Sequence, residues 1–141
     1  MQNLPKIDKR RVLRTPEECF ADLPDFHYPP HYVSLDGLSI AYIDEVSRDA
    51  PPVLPMHREP SWSLLYRKMI PALVAAGHRV FAPDLVGFGR SDKPSRDSDY
   101  SYLNHVQWMC AWMERIDLQH ATLFCQDLGS LIGLRMVTHA P

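Results

Sequence analysis

Residues 121–129 read Ala-Thr-Leu-Phe-Cys-Gln-Asp-Leu-Gly. The first six residues are a short apolar run of the kind that forms a buried strand. The apolar spacing over 128–138 predicts a helix directly after that run, so Asp127 lies at a strand-to-helix junction. The small residues Cys125 and Gly129 stand two positions to either side of Asp127. This spacing permits a sharp turn and is typical of a nucleophile elbow.

Asp127 has two interpretations at this position. An isolated aspartate before a helix commonly acts as an N-cap, because its carboxylate accepts a hydrogen bond from an N–H group of the first turn. At the apex of an elbow, the same carboxylate would be a nucleophile at a helix N-terminus, where the helix dipole favours negative charge. The elbow spacing, together with the loops after two other predicted strands, favours the nucleophile.

An aspartate nucleophile suits a particular class of reaction. The side chain is ionised at neutral pH without help from a base. It can displace a leaving group from a tetrahedral carbon and form an ester, whose carbonyl water can then attack. A serine in the same place would form an ether, which water does not cleave at a useful rate. Asp127 therefore indicates an alkyl halide or an epoxide as substrate, rather than an ester.

Strands alternate with helices along most of the chain. Asp36-Gly37 is a hairpin signal between two short strands, and Gly77 ends the first long helical pattern. We predict strands at 31–35, 39–44, 53–57, 79–83 and 121–126, and helices at 62–76, from a cap at Ser101 to about Ile116, and at 128–138. The order β-β-β-α-β-α-β-α implies a mostly parallel sheet with helices on both faces. In such sheets the chemistry lies at the carboxyl ends of the strands.

Two further loops follow predicted strands. The first is His57-Arg58-Glu59-Pro60. On its own, His57 is best interpreted as a loop histidine satisfied by local hydrogen bonds, and Glu59 as a surface charge. The second loop, 84–92, has glycines at 87 and 89, but the third glycine of a dinucleotide-binding motif would fall on Asp92. We interpret this loop as a turn that shapes the upper edge of the sheet.

From about Arg14 to Pro141 the motifs together resemble the haloalkane dehalogenases, in the subfamily with glutamate in the oxyanion loop. The matching segments are 59–63, 65–71, 82–84, 87–94 and Gln126-Asp127. The resemblance implies the N-terminal half of an α/β-hydrolase fold, with the cap and the C-terminal strands absent. We therefore divide the chain into an irregular arm, 1–30, and a partial α/β-hydrolase core domain, 31–141. In the arm, Thr15 is a candidate helix cap, with Pro16 at the first helical position.

The resemblance also implies roles for individual residues. Asp127 would attack the halogen-bearing carbon, the N–H groups of Glu59 and Leu128 would hold the oxyanion, and the halide would leave into a pocket nearby. His57 and Gly129 would support the loops around them. A histidine activated by an acid would then direct water onto the ester. No cofactor and no metal would be needed, and the partner would be a small halogenated alkane or an epoxide.

The sequence departs from the family pattern at several places. Leu128 replaces the usual tryptophan, whose indole N–H would hold the halide, and Arg58 replaces a glycine in a turn that we expect to need one. Pro55 lies inside a predicted interior strand, where it removes a ladder hydrogen bond. Only His139 follows Asp127 among the histidines, and we expect it at the far end of the last helix. The strand 121–126 should form an apolar edge of the sheet.

Composition excludes several other classes. The 141 residues carry a formal net charge of −2, which argues against a nucleic-acid partner or an anionic membrane. No stretch reaches the roughly 20 apolar residues of a membrane span, and we see no signal peptide. The three widely spaced cysteines suggest free thiols and a cytoplasmic location. Two alternatives to a dehalogenase remain, an epoxide hydrolase with the same aspartate elbow and a truncated, non-catalytic remnant.

Overall fold

A computed structural model describes residues 3–46 and 50–139, and it contains a five-stranded sheet in the order β2-β3-β5-β4-β7. The strands of the described chain are β1 (Val12–Leu13), β2 (His31–Leu35), β3 (Leu38–Glu45), β4 (Pro52–Met56), β5 (Arg79–Pro83), β6 (Lys93–Pro94) and β7 (Thr122–Cys125). β3 runs antiparallel to both β2 and β5, whereas β4 runs parallel to both β5 and β7. The predicted mixed sheet, mostly parallel after its hairpin, is confirmed. β1 and β6 form a separate antiparallel pair.

The helices pack on both faces of the sheet. They are α1 (Met69–Ala75), α2 (Tyr102–Arg115) and α3 (Leu128–Val137). One core cluster lies under α2 and α3 and includes Phe81, while the other lies under α1 and includes Val80 and Ala82. Neighbouring residues of β5 thus point to opposite faces, as strand geometry requires. Ser101 caps α2 as expected, because its hydroxyl accepts the Asn104 N–H at 3.1 Å.

The hairpin and the strand positions follow the sequence closely. Asp36 and Gly37 have φ values of 46° and 89°, as a type I′ turn requires, and Leu35 pairs with Leu38 across it. β2 and β5 have the predicted bounds, and each of the other predicted strands differs by one residue at both ends. β7 lies at the edge of the sheet, where Phe124 is 40% exposed. β4 pairs with β5 at Pro52 and Val53, before the donor-less Pro55.

The single helix predicted over 62–76 is wrong. The segment forms a 3-10 turn, Ser63–Tyr66, and then the separate helix α1. Pro71 explains the break, because it has no N–H to donate to the Arg67 carbonyl and its ring would clash with that carbonyl in a continuous helix. The Tyr28 hydroxyl donates to the same carbonyl at 3.3 Å.

The arm is more ordered than the sequence suggested. β1 pairs with β6, and 3-10 turns form at Lys9–Arg11 and Glu17–Phe20. The predicted cap at Thr15 is wrong, since Pro16 occupies the N-cap position of the second turn and no side chain caps it. The arm is held to the core by Arg14, whose Nε and Nη2 donate to Asp92 at 2.7 and 2.9 Å. None of the helices within residues 3–46 and 50–139 has the length and hydropathy that a membrane span requires.

Candidate active site

The carboxyl ends of β4, β5 and β7 lie side by side, because these three strands run parallel. We call this end of the sheet the carboxyl edge, to distinguish it from the edge strand β7. The loops that leave this edge begin at His57, Asp84 and Gln126. All three sequence-predicted loops are therefore neighbours. The Gln126 N–H donates to the Met56 carbonyl at 3.3 Å, which ties the last of these loops to β4.

Asp127 sits at the apex of its turn in a strained backbone conformation. Its φ and ψ are 49° and −122°, and α3 begins at the next residue. A non-glycine residue at positive φ costs roughly 1–3 kcal/mol and persists only where the surroundings enforce it. Asp127 occupies the N-cap position, but its side chain accepts no cap hydrogen bond, and the residue is exposed. The carboxylate thus faces solvent at the carboxyl ends of the strands and does not cap the helix.

Gly129 explains how the turn can be so tight. A Cβ added there would lie 2.4 Å from the Met56 carbonyl oxygen and 2.5 Å from that of His57. Both are backbone atoms and cannot swing aside as a side chain would. The first turn of α3 therefore packs directly on the end of β4, and only glycine fits between them.

The Glu59 loop approaches the same edge. The Ser61 N–H donates to the Arg58 carbonyl at 2.9 Å and closes a turn around Glu59 and Pro60, whose peptide bond is cis. The N–H groups of Glu59 and Leu128 have no acceptor among the residues that the structure describes. They are thus available as a pair of donors. The expectation that position 58 needs a glycine is wrong, because Arg58 does not adopt a positive φ.

His57 is fully buried and fixed by hydrogen bonds on both ring nitrogens. Nε2 accepts the Leu85 N–H at 2.9 Å, so the ring proton resides on Nδ1, which donates to the Arg58 carbonyl at 3.0 Å. Burial lowers the pKa of His57, although the Arg58 carbonyl and the nearby Asp84 oppose the shift. The ring also packs edge-on against Phe88 at 5.3 Å. His57 therefore holds two loops together as a neutral ring, and one of its partners is distant in sequence.

The sequence interpretation missed two buried carboxylates in the 84–92 loop. Asp84 and Asp92 are each 1% exposed. Asp84 accepts backbone N–H groups from Ser63 at 2.8 Å and from Arg90 at 2.9 Å. Burial raises the pKa of Asp84, while hydrogen bonds from Arg90 and Ser63 oppose the rise. An aspartate directly after a buried strand, followed by a glycine-rich turn, is the sequence signal that could have identified Asp84.

Neither His57 nor His139 is placed to activate water at Asp127. His57 uses both ring nitrogens, and His139 lies beyond the other end of α3, beside the Arg135 carbonyl. A ten-residue helix is roughly 15 Å long, so His139 is remote from the elbow. Within residues 3–46 and 50–139, no group of three or more His, Cys, Asp or Glu side chains could hold a metal ion.

A groove of about 560 Å³ lies away from this edge, at the opposite end of β7. Its lining includes Met113 near the end of α2, Ala121 before β7 and Met136 near the end of α3. The groove does not include Asp127 or Glu59, so we do not assign it to the candidate site.

Comparison with known proteins gives a consistent family assignment. The sequence profile described as "alpha/beta hydrolase fold" matches residues 51–141. A haloalkane dehalogenase from Psychrobacter cryohalolentis is 57% identical over 136 residues, which is 93% of this chain and 45% of that protein. Haloalkane dehalogenase 1 from Mycobacterium bovis is 55% identical over 130 residues, covering 89% of this chain and 43% of that protein. The chain thus spans less than half the length of the curated relatives it matches.

Solved structures show the same pattern. The tetrameric haloalkane dehalogenase DpaA from Paraglaciecola agarilytica matches with a TM-score of 0.86 and 48% identity, over 91% of this chain and 44% of that chain. An epoxide hydrolase variant from Vigna radiata matches with a TM-score of 0.71 and 26% identity, over 80% and 35% of the two chains. The resemblance to haloalkane dehalogenases that the motifs indicated is confirmed.

Proposed function

The chain belongs to the alpha/beta hydrolase fold family, and from this we propose that it carries the nucleophile of a haloalkane dehalogenase. The observation that carries the proposal is Asp127, which is held at positive φ with its side chain free of cap hydrogen bonds. The two available N–H groups, of Glu59 and Leu128, lie in loops at the same sheet edge. The identity to haloalkane dehalogenases supports the same reaction.

The first step is alkylation of Asp127. One carboxylate oxygen attacks the halogen-bearing carbon, the carbon–halogen bond breaks, and its electron pair leaves with the halide. The product is an alkyl ester on Asp127. The N–H groups of Glu59 and Leu128 would hold the second carboxyl oxygen and fix the attacking orientation. They would later stabilise the oxyanion that forms when water adds to the ester.

The second step is hydrolysis of that ester, which needs a base to remove a proton from water. His57 is committed on both ring nitrogens, and His139 lies at the far end of α3. We therefore expect the 141-residue chain to be alkylated and to retain the ester. This behaviour separates an enzyme portion with a working nucleophile from a non-catalytic remnant, which would not be alkylated at all.

The test is intact-mass spectrometry after incubation with a short bromoalkane. We expect a single added alkyl group, located on Asp127 by peptide mapping. The control is Asp127→Asn, which keeps the size of the side chain and removes the nucleophilic carboxylate. An adduct of equal yield on the control would contradict the proposal, since it would show alkylation elsewhere on the chain.

An epoxide hydrolase is the second candidate. It is favoured by Leu128, whose side chain has no donor for a departing halide, and by the similarity to the Vigna radiata epoxide hydrolase fold. Opening an epoxide breaks a carbon–oxygen bond, and the oxygen must then take up a proton from a nearby acid. Parallel incubations with a bromoalkane and an epoxide of equal chain length distinguish the two. Faster adduct formation with the bromoalkane supports a dehalogenase, and the reverse supports the epoxide hydrolase.

A further inference from the structure

Asp84 is a buried carboxylate that joins two of the three loops at the carboxyl ends of β4, β5 and β7. Its Oδ1 accepts the N–H of Ser63, which begins the 3-10 turn after the Glu59 loop, and its Oδ2 accepts the N–H of Arg90. Both carboxyl oxygens are thus held by backbone donors from different segments. Burying a carboxylate is costly unless its oxygens are hydrogen-bonded. The two N–H bonds offset that cost and fix the distance between the loops.

The position of the Asp84 carboxyl group is fixed by close packing and by hydrogen bonds of its own backbone. A Cβ at Gly89 would lie 2.5 Å from Asp84 Oδ2 and 2.8 Å from Trp62 Cβ. The backbone of Asp84 is fixed as well, because its N–H donates to the Ala41 carbonyl at 2.9 Å and its carbonyl accepts the Ser91 hydroxyl at 2.6 Å. Asp84 is therefore a rigid point to which the Glu59 loop is attached.

Glu59 lies between two anchors of its loop. On the N-terminal side, His57 Nε2 accepts the Leu85 N–H. On the C-terminal side, Ser63 donates to Asp84, and between them the Ser61 N–H closes the turn onto Arg58. Both anchors lead to the start of the same loop, at positions 84 and 85. The orientation of the Glu59 N–H thus depends on the segment that follows β5.

We propose that Asp84 is a positioning residue, which fixes the Glu59 N–H beside Asp127 by holding Ser63 against the loop after β5. The inference rests on the proposed function, in which that N–H holds an oxygen of the reacting carboxyl group. Asp84 does not touch the substrate. Displacing a positioned group by about 1 Å can cost roughly 100-fold in rate, so loss of this anchor should slow alkylation.

Two variants weaken or remove the anchor. Asp84→Asn keeps one acceptor oxygen and replaces the other with an amide donor, so either the Ser63 or the Arg90 N–H loses its acceptor. Ser63→Pro deletes the donor and leaves Asp84 in place. Proline is tolerated at the first position of a helical turn, and Trp62 before it is extended, with φ of −157° and ψ of −171°.

Asp92→Asn is the matched control. Asp92 belongs to the same loop and is equally buried, but it accepts from Arg14 and from the Ser39 N–H at 2.8 Å. It therefore ties the loop to the arm and to β3, and not to the Glu59 segment. A purely structural effect of removing a buried carboxylate would act on both variants alike.

The experiment measures the rate constant for bromoalkane adduct formation on Asp127, together with the thermal unfolding midpoint of each variant. We expect Asp84→Asn and Ser63→Pro to lower the rate constant roughly 10- to 100-fold. We expect Asp92→Asn to lower the unfolding midpoint and to keep the rate constant of the unmodified chain. The inference would be overturned if Asp84→Asn and Ser63→Pro both kept the rate constant of the unmodified chain, or if Asp84→Asn and Asp92→Asn lost equally. If Asp84→Asn does not fold, Ser63→Pro takes its place in both comparisons.

A second measurement keeps the inference testable if the unmodified chain forms no adduct, a result that would count against the proposed function alone. The backbone amide signals of Glu59 and Leu128 in a ¹H–¹⁵N correlation spectrum report the geometry directly. We expect the Glu59 signal to shift or broaden in Asp84→Asn and Ser63→Pro, and to stay in place in Asp92→Asn. An unmoved Glu59 signal in the first two variants would contradict the positioning role.

Discussion

Asp127 and Gly129 lie in the same turn but are constrained for different reasons, one by its backbone conformation and the other by lack of space. Asp127 has a positive φ, which an L-residue adopts only under strain, whereas Gly129 belongs to α3 and is required by space. The sequence spacing identified both positions correctly. It could not show that the limiting contacts are the Met56 and His57 carbonyl oxygens, because those residues are distant in the chain.

Gly129→Ala should therefore destabilise the fold, although alanine is a better helix former than glycine. The added Cβ would overlap two backbone oxygens, and we expect a loss of roughly 1–3 kcal/mol in the free energy of unfolding. Gly133→Ala is the control, since its Cβ would lie 3.1 Å from the flexible Leu123 side-chain carbons. Urea denaturation measures both variants. A loss for Gly129→Ala no larger than for Gly133→Ala would contradict the packing argument.

His105 should make the stability of the chain depend on pH. The residue is 6% exposed on α2, its Nδ1 has no partner among the described residues, and burial lowers its pKa from 6.5 to about 4. Because the folded pKa is depressed, the unfolded chain takes up a proton first as the pH falls. The stabilisation is complete above pH 6.5 and is lost progressively towards pH 4. A shift of that size corresponds to roughly 3 kcal/mol.

The measurement is the free energy of unfolding in urea at several pH values between 7 and 4.5. His105→Phe, which keeps a ring between Tyr100 and Trp108, should show a weaker pH dependence than the unmodified chain. His57, whose pKa is also lowered by burial, should leave a remaining slope of the same sign in that variant. If the free energy of unfolding changed equally with pH in His105→Phe and in the unmodified chain, protonation of His105 would not be involved.

At the scale of elements, apolar periodicity predicted the strands and most of the helices correctly, but it did not detect the break before α1. The apolar positions continue through 62–76, so the pattern alone favours one helix. Pro71 decides otherwise, because its ring and its missing N–H act on the carbonyl four residues earlier. The order within the arm was also missed, because it depends on pairing between β1 and β6, about 80 residues apart.

The attachment of the arm depends on Arg14 at this scale. Arg14 is mostly exposed, but its partner Asp92 is buried, and the hydrogen bond and charge of Asp92 raise the Arg14 pKa. Arg14→Ala would leave the buried Asp92 with the Ser39 N–H and without its cation. We expect a loss of roughly 1–2 kcal/mol in the free energy of unfolding, allowing for solvent screening.

Limited proteolysis of the arm, together with urea denaturation, measures this effect. Faster cleavage N-terminal to β2 is the expected result for Arg14→Ala. Arg10→Ala is a suitable control, because the Arg10 side chain is 93% exposed and pairs with Asp8 on the surface. Unchanged cleavage and stability in Arg14→Ala would show that the β1–β6 pairing holds the arm without the ion pair.

For the whole molecule, the sequence correctly predicted the sheet with helices on both faces and β7 at its edge. It did not predict the connections between the loops, since these arise from side chains such as His57 and Asp84 that bond across long sequence separations. The side of the molecule formed by β7 and α3 exposes apolar side chains. Leu131, Leu134 and Val137 form a stripe along α3, and they are 61%, 59% and 54% exposed.

The chain should associate with itself through this side. An unpaired strand edge and an apolar stripe both favour intermolecular contact in water. We expect the sedimentation coefficient to rise with concentration, and Leu134→Lys to reduce that rise. Leu13→Lys is the control, because Leu13 is 62% exposed but lies on β1 in the arm. This prediction would be contradicted if Leu134→Lys and Leu13→Lys reduced association equally, or if the unmodified chain did not associate.

The role of Asp127 as nucleophile is tested by the number of bromide ions that each chain releases from a bromoalkane, measured together with the intact mass of the chain. In the proposed reaction Asp127 displaces bromide, and neither His57 nor His139 is placed to activate water against the resulting ester. We expect a burst of at most one bromide per chain, a matching ester on Asp127, and no further release. Continued turnover would contradict the absence of a base, and release of the same size from Asp127→Asn would contradict the nucleophile.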